Sequence, residues 1–508
     1  MSGRSRSHKV SRIVLSIVSA LLIVAMAAAL AVYRPIEWKA DVVTASSSRT
    51  SHMVSPRQVE TYCPARMTIA DTDEYGDSEY QASNGDVASS SRYAAFGSVL
   101  RSSVSSMGSD GDSSVLSMQR GDSDDAVFMA AGNVDDGSRL QESRLSSAVD
   151  GTGSASSVMS WATKGDVKGV SAASCVTPEL EQRFLVSGTK TGMTQQLVVA
   201  NPSTKATSVD IKIWGAGKSG ALALSTGATL VVGAGKETVM NLAAAASDQD
   251  ALYVAVSSDD TPVAAVVRTV AMDGLTSKGS EYTVPNNTMS TTLAVAGLSA
   301  GDSASLYLFS KADAEITVSW TDGKGSKQAK QQSIEANRAS VIDLGSVPKS
   351  ATGLSIVADH PVSASAKITV SADGGQADFA LFNAMEPLSV SAIAVPDKAD
   401  ATIGIVNVSS RQQTSTLTFY DDDGEPVGHR DIDVPAGAST VVKLSDVNKG
   451  NVAAVRLADS SSSMVCGMRV GQQDVSRAKL AGLSIVGAVD LREAREEVRA
   501  NHDMTIVR

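Results

Sequence analysis

Val209-Asp210-Ile211-Lys212-Ile213-Trp214 carries an apolar side chain at every second position, the period of a strand with one face in a core. The pattern returns about 100 residues later as Ile316-Thr317-Val318-Ser319-Trp320, and again as Thr416-Leu417-Thr418-Phe419-Tyr420. A Gly-containing turn follows each time: Gly215 to Gly220, Thr321-Asp322-Gly323, and Asp421-Asp422-Asp423-Gly424. Other short strands surround these three. The first unit has 196–200, 229–232, 238–242, 252–256 and 263–270; the second has 305–309, 339–344, 354–357 and 362–370; the third has 402–406, 440–444, 452–457 and 464–470. Short strands with a turn every 8–12 residues or so predict an all-β chain of antiparallel sandwiches. The expected layout is three tandem immunoglobulin-like β-sandwiches over residues 123–290, 291–388 and 389–488, the first with an N-terminal β extension.

The faces correspond as well as the spacing. Ile211 and Ile213 match Ile316 and Val318, then Leu417 and Phe419, as inward positions. In the last strand of each unit Val263, Ala265 and Val267 match Val362, Ala364 and Ala366, then Met464, Cys466 and Met468. The residue after this triplet is always basic, Arg268, Lys367 or Arg469, and reads as an edge-guarding or solvated charge on the outer face.

Upstream, 158–163 and 167–173, split by Lys164-Gly165-Asp166, form a hairpin assigned to the first unit. Residues 33–122 hold runs such as Ser89-Ser90-Ser91 and Ser109-Asp110-Gly111-Asp112. So little apolar surface does not offset ordering entropy, and a flexible linker is expected. At the other end, residues 489–508 are rich in Glu and Arg. Arg492 with Glu496 at i,i+4 and Glu496 with Arg499 at i,i+3 predict a short charged helix in this tail.

Residues 13–32 are the one long apolar run, preceded by Arg4, Arg6, Lys9 and Arg12. Twenty residues at about 1.5 Å each match a bilayer's hydrocarbon core of about 30 Å, and the cations keep residues 1–12 cytoplasmic. A single-pass cell-membrane protein with its C-terminal bulk extracellular is expected. Ala29-Leu30-Ala31 leaves signal-peptide cleavage as the rival reading.

The chain of 508 residues has 44 Lys and Arg against 55 Asp and Glu, a formal charge of −11. All the cations of residues 1–32 lie on the cytoplasmic flank, so the remainder is more acidic still, and nucleic acid is excluded as a partner. Three cysteines do not make a disulfide-dense scaffold. Cys63 and Cys175 flank the irregular N-terminal region and form a candidate disulfide, with three free thiols as the alternative; Cys466 sits on a core face.

Four motifs imitate chemistry. Gly215 to Gly220 has dinucleotide-loop spacing, yet a strand follows where a helix must open, so it reads as a hairpin loop. Gly297-Leu298-Ser299-Ala300-Gly301 has the spacing of a nucleophile elbow, and Ser299 would be its nucleophile; a strand follows here too. Asp71-Thr72-Asp73-Glu74-Tyr75-Gly76 begins like a calcium loop but has Tyr75 at position five and Ala82 at position twelve. The cluster from Asp421 to Glu425 reads as an acidic turn. His8, His52, His360, His429 and His502 show no metal-ligand spacing. No catalytic residue, metal ligand or cofactor-binding residue is assigned, and no cofactor is expected.

Cys63-Pro64 beyond the apolar run, Cys175 leading through Pro178 into Phe184-Leu185-Val186-Ser187-Gly188, and then Leu197-Val198-Val199-Ala200-Asn201-Pro202 form a recognisable order. Over residues 60–485 it resembles an actinobacterial family of uncharacterised membrane-anchored proteins, the domain of unknown function DUF5719. Phe184, where a tryptophan-rich spot is expected, and the long serine-rich insert are departures. The resemblance implies topology and fold class, and brings no activity.

The sequence thus points to a non-enzymatic envelope protein for display, adhesion or scaffolding, partnered by the membrane through one helix and by an envelope protein or glycan. The alternatives are an accessory subunit of an envelope glycan or peptidoglycan enzyme and, third, a secreted hydrolase. Asn407-Val408-Ser409 has the glycosylation pattern but is read as incidental.

Overall fold

A computed structural model describes residues 18, 21–22, 24–25, 49–69, 82–108, 114–493 and 495–501. The expected cytoplasmic tail, most of the apolar run, the calcium-like stretch from Asp71 to Gly76, His8 and His502 lie outside these residues. Among the described residues no helix is long and apolar enough to cross a membrane. The chain divides into two units, one of which, Ser55–Glu496, holds nearly all the described residues. Strand Arg49–Val54 pairs with Glu496–Asn501 in a two-stranded sheet. The tail expected to be helical is therefore strand at Val489–Asp490 and Glu496–Asn501. Charged pairs at helical spacing stabilise a helix by only a few tenths of a kcal/mol, and a strand partner outweighs them.

The larger unit is nearly all antiparallel β. Its repeats are built as the alternation predicts. In the first, Glu181–Ser187, Ala251–Ser258, Thr207–Gly215 and Thr229–Val232 form one sheet; Lys236–Asn241, Met193–Asn201, Ala264–Asp273 and Thr276–Thr283 form the other. The third repeat has the same arrangement, in sheets that include Gln413–Tyr420 and Met464–Gln472, with Val489–Asp490 added at one edge. In the second repeat a single strand of 19 residues, Gly353–Ser371, joins the two layers. Its first part pairs with Ala314–Asp322 and its second with Ser303–Ser310 and Ala377–Asn383. Pro361 falls between these parts, where a missing N–H costs no ladder bond.

Each repeat has its own core, and the matched inward residues fill it: Ile211 and Val267 in the first, Ile316 and Ala366 in the second, Leu417 and Met468 in the third. Asn201 and Asn407 close equivalent turns, each amide donating to a carbonyl four residues on, at Lys205 and Arg411. Asn407 is fully buried with its amide engaged, which removes the glycosylation pattern from the folded surface.

The expected linker is corrected by the structure. Gln58–Cys63, Ala88–Phe96, Val99–Ser106, Ser114–Ser117 and Gln119–Arg120 are strands. The hairpin Ser157–Ala162 and Gly169–Ser174 extends the sheet of Ala88–Phe96 rather than a sheet of the first repeat. Together with Phe128–Gly132 and Arg139–Leu145 these strands make a fourth sheet pair N-terminal to the repeats. Its interior is partly polar. Ser102 and Ser143 share a hydrogen bond of 2.8 Å, as do Ser143 and Ser154, and Gln141 donates to Ala94 O and Ser102. Serines satisfied by one another are buried without the desolvation cost that an apolar count assumes. Cys63 and Cys175 are joined by a disulfide between the two sheets, beside paired backbones at Tyr62 and Val176.

Candidate functional site

The last hairpin of each repeat places its return strand at a sheet edge: Thr276–Thr283, Ala377–Asn383 and Ser484–Gly487. The N-terminal sheet pair contributes a fourth edge, Gly169–Ser174. Edge strands carry unpaired N–H and C=O groups that must find partners when buried. These four meet along one axis, and side chains satisfy them.

Asp378 is fully buried at the centre. Its Oδ2 accepts from Val170 N at 2.8 Å and Leu483 N at 2.9 Å; its Oδ1 accepts from Phe379 N at 3.0 Å. Ser280 N is a further donor. One carboxylate thus serves N–H groups in three of the four edge strands and at the residue just before the fourth. Space for it comes from glycine. A Cβ at Gly169 (φ +132°) or Gly279 (φ +103°) would lie 2.4 Å from an Asp378 carboxylate oxygen. Arg268, Lys367 and Arg469 face Tyr282, Leu381 and Ile485 across their hairpins, and three residues before these stand Gly279, Asp378 and Gly482. Asp378 therefore occupies the position that glycine holds in the other two repeats.

Glu281, 1% exposed, repeats the device one layer away. It accepts from Ala172 N at 3.1 Å, Tyr282 N at 2.9 Å and Ser484 Oγ at 2.6 Å. Gln376 exchanges hydrogen bonds with the backbone of Ala481. Burial pushes both carboxyls well above the usual carboxylate range, against the pull of these donors, and Asp378 raises Glu281 further. Burial also raises Glu60 and Glu179. A raised folded-state pKa means tighter proton binding by the folded chain. That contribution is complete below the unfolded value of about 4 and is lost as pH rises through the folded value. Asp86, Asp322, Asp359 and Glu425 are shifted the other way by hydrogen bonds, so what they add is lost only below about pH 4. Thermal melts are expected to show stability rising as pH falls from about 8 to about 5, and falling below about 4. A melting temperature that drops steadily from pH 8 to 5 would contradict this.

The basic residue repeated in each unit is corrected from an outer-face charge to a joint residue. Arg469 makes a bidentate pair with Asp302 at 2.7 and 3.1 Å, linking third and second repeats, with Asp302 only 5% exposed. Lys367 lies 4.4 Å from the centre of the Phe379 ring, and burial lowers its pKa. Arg268 stands close enough to Tyr62 and Tyr282 to hold their hydroxyl pKa values down against burial. A double-mutant cycle on Asp302 and Arg469, each to alanine, is expected to give a coupling of about 1–3 kcal/mol, as for contacting charged pairs. Strict additivity would place the pair outside the fold's energetics.

The motifs that imitate chemistry are also joints. Ser219 donates to Ala336 O at 2.7 Å and Gly220 N to Asn337 O at 2.8 Å, so the glycine loop docks on the second repeat without opening a helix. At the serine motif Ser299 N donates to Asp302, strand Ser303–Ser310 follows, and the loop presses on Gly404. In the acidic turn Asp422 pairs at 2.7 Å with Arg92, whose side chain is 5% exposed and which also binds Asp397; Glu425 accepts from Ser123 N at 3.1 Å. Among the described residues no group of three or more His, Cys, Asp or Glu is placed to hold a metal ion. Sequence reasoning missed Asp378, Glu281, Gln376 and Arg92. For Glu281, Gln376 and Asp378 the signal was a charged or amide side chain in the short segment that follows Arg268 or Lys367; Arg92 carried none.

At one end the axis opens into a cavity of about 360 Å³ lined by all four sheet pairs. Its wall includes Val176, Val284, Phe382 and Val486, and its rim carries Glu179, Glu386, Asp490 and Arg492.

No curated protein matches the chain. Similarity to solved structures is weak, as two of them show. Dimeric latent PorU from Porphyromonas gingivalis is 11% identical, over 64% of this chain and 34% of that one, with a TM-score of 0.12. The Streptomyces avermitilis alpha-L-rhamnosidase complexed with L-rhamnose is 10% identical, over 74% and 54%, also with a TM-score of 0.12. The chain thus spans about a third and about half of those proteins. The model of the Family of unknown function (DUF5719) matches residues 129–477, which take in the first two repeats and the third up to its last hairpin, and the chain belongs to that family.

Proposed function

We propose that this is a non-catalytic, membrane-anchored protein of the cell envelope, in which tandem immunoglobulin-like sandwiches act as a scaffold for binding a partner. The observation that carries the reading is the set of buried polar joints. Arg92, Asp302, Asp378 and Glu281 spend their hydrogen-bonding capacity on holding sheet pairs together rather than on a substrate. Such joints favour a body of fixed shape, and a fixed shape lowers the ordering cost of binding. The apolar run at residues 13–32 supports a tether with the β body outside the cell.

Protease treatment of intact cells tests the topology: the β body is expected to be removed, and full protection overturns the tether. Crosslinking in cells then reads the partner. Wall polymer or a surface protein supports display and adhesion, whereas a stoichiometric membrane enzyme supports the accessory-subunit alternative. Turnover of an envelope substrate by the purified chain, abolished by Ser299→Ala, would overturn the non-catalytic reading in favour of a hydrolase.

A further inference from the structure

The cavity at the end of the axis has the size of a ligand site and a wall contributed by four separate sheet pairs. Its chemistry divides in two. Val176, Val284, Phe382, Met385 and Val486 supply its apolar part, alongside the amides of Gln182, Asn286 and Asn383. Three carboxyl groups, Glu179, Glu386 and Asp490, stand at the rim against a single cation, Arg492. Arg492 is shared: its Nη2 lies 3.2 Å from Glu386 and 2.6 Å from Asp490. Glu179 is engaged by the amide of Asn287 at 2.5 Å and lies in the field of Arg183, which leaves Glu386 and Asp490 to share Arg492. The rim is thus under-supplied with positive charge, in a chain that is itself acidic.

We propose that this cavity binds an apolar group ending in a primary ammonium, the chain entering the apolar part and the ammonium pairing with Glu386 and Asp490. An ammonium fits better than an anion, which would meet excess carboxylate. It also fits better than a neutral group, which would leave that excess uncompensated. With three donors on a compact head, an ammonium bridges two carboxylates that Arg492 now holds. The proposal deepens the binding reading above by naming the chemistry bound, and it stands on the cavity rather than on the topology.

The test is calorimetric titration of the full chain, in nanodiscs of neutral lipid, with hexylammonium chloride and with sodium hexanoate, empty discs serving as blank. Saturable binding of hexylammonium and none of hexanoate is expected. Glu386→Gln with Asp490→Asn should weaken the amine about tenfold, and Arg492→Ala, which frees both carboxylates, should strengthen it several-fold. Both variants alter a half-exposed rim, so the fold is retained. No saturable amine binding, equal binding of hexanoate, or an affinity unmoved by the rim variants overturns the proposal. Because purified protein is used, these outcomes are separate from protease protection in cells, which bears only on the tether.

Discussion

Replacing Cys63 and Cys175 together by serine is expected to lower stability by about 4–5 kcal/mol, read as a shift in denaturant midpoint. The bridge closes a loop of 112 residues, and in the chain-entropy model a loop of that length restricts the unfolded chain by about this much. The position adds to the effect. Cys63 is fully buried and Cys175 is 8% exposed, so serine leaves two hydroxyls inside the N-terminal core. Reduction of the natural chain should reproduce the shift, and limited proteolysis should cut residues 55–176 first. A shift worth less than about 1 kcal/mol would mean that the unfolded chain already keeps these two segments close without the bridge.

Asp378→Ala is the second large effect, expected at about 3–5 kcal/mol. The substitution strands the N–H groups of Val170 and Leu483 in a fully buried place and leaves a void among three strands. Asp378→Asn should recover less than half of the loss. Its amide oxygen accepts, but its NH2 group meets a donor from a neighbouring strand. Gly279→Ala attacks the same point from the other side, through a left-handed backbone and a Cβ 2.4 Å from the carboxylate. Each variant should turn one cooperative transition into several, since the axis joins the sheet pairs. Unfolding that stays single and shifts by under 1 kcal/mol or so would show that the axis carries little of the stability.

The repeats were legible because alternation is a direct image of burial: Ile211, Ile316 and Leu417 face separate cores as their period requires. The N-terminal sheet pair was not legible from composition. Ser102, Ser143 and Ser154 are buried, and serines satisfied by Gln141 or by one another do not register as core on an apolar count. The axis escaped for a related reason. Thr276–Thr283 and Ser484–Gly487 are short edge strands whose place is set by contacts with other sheet pairs. Periodicity within one strand does not encode those contacts. Arg268, Lys367 and Arg469 were correctly matched but wrongly sent to solvent, because an outer face of one sandwich is here the inner face of an assembly.

The pairing of Arg92 with Asp397 joins residues 305 positions apart. Around it the apolar face of Ala94, Phe96, Val127 and Met129 packs on Ala392, Ala394 and Tyr420 of the last repeat. A chain is synthesised from its amino end, so the first β structure made keeps that face and that arginine uncovered until the final repeat emerges. Completion is thereby a late, all-or-none event. A chain cut short before residue 390 would carry a sticky surface and an arginine without its partners, marking it for removal before it is ever put to use.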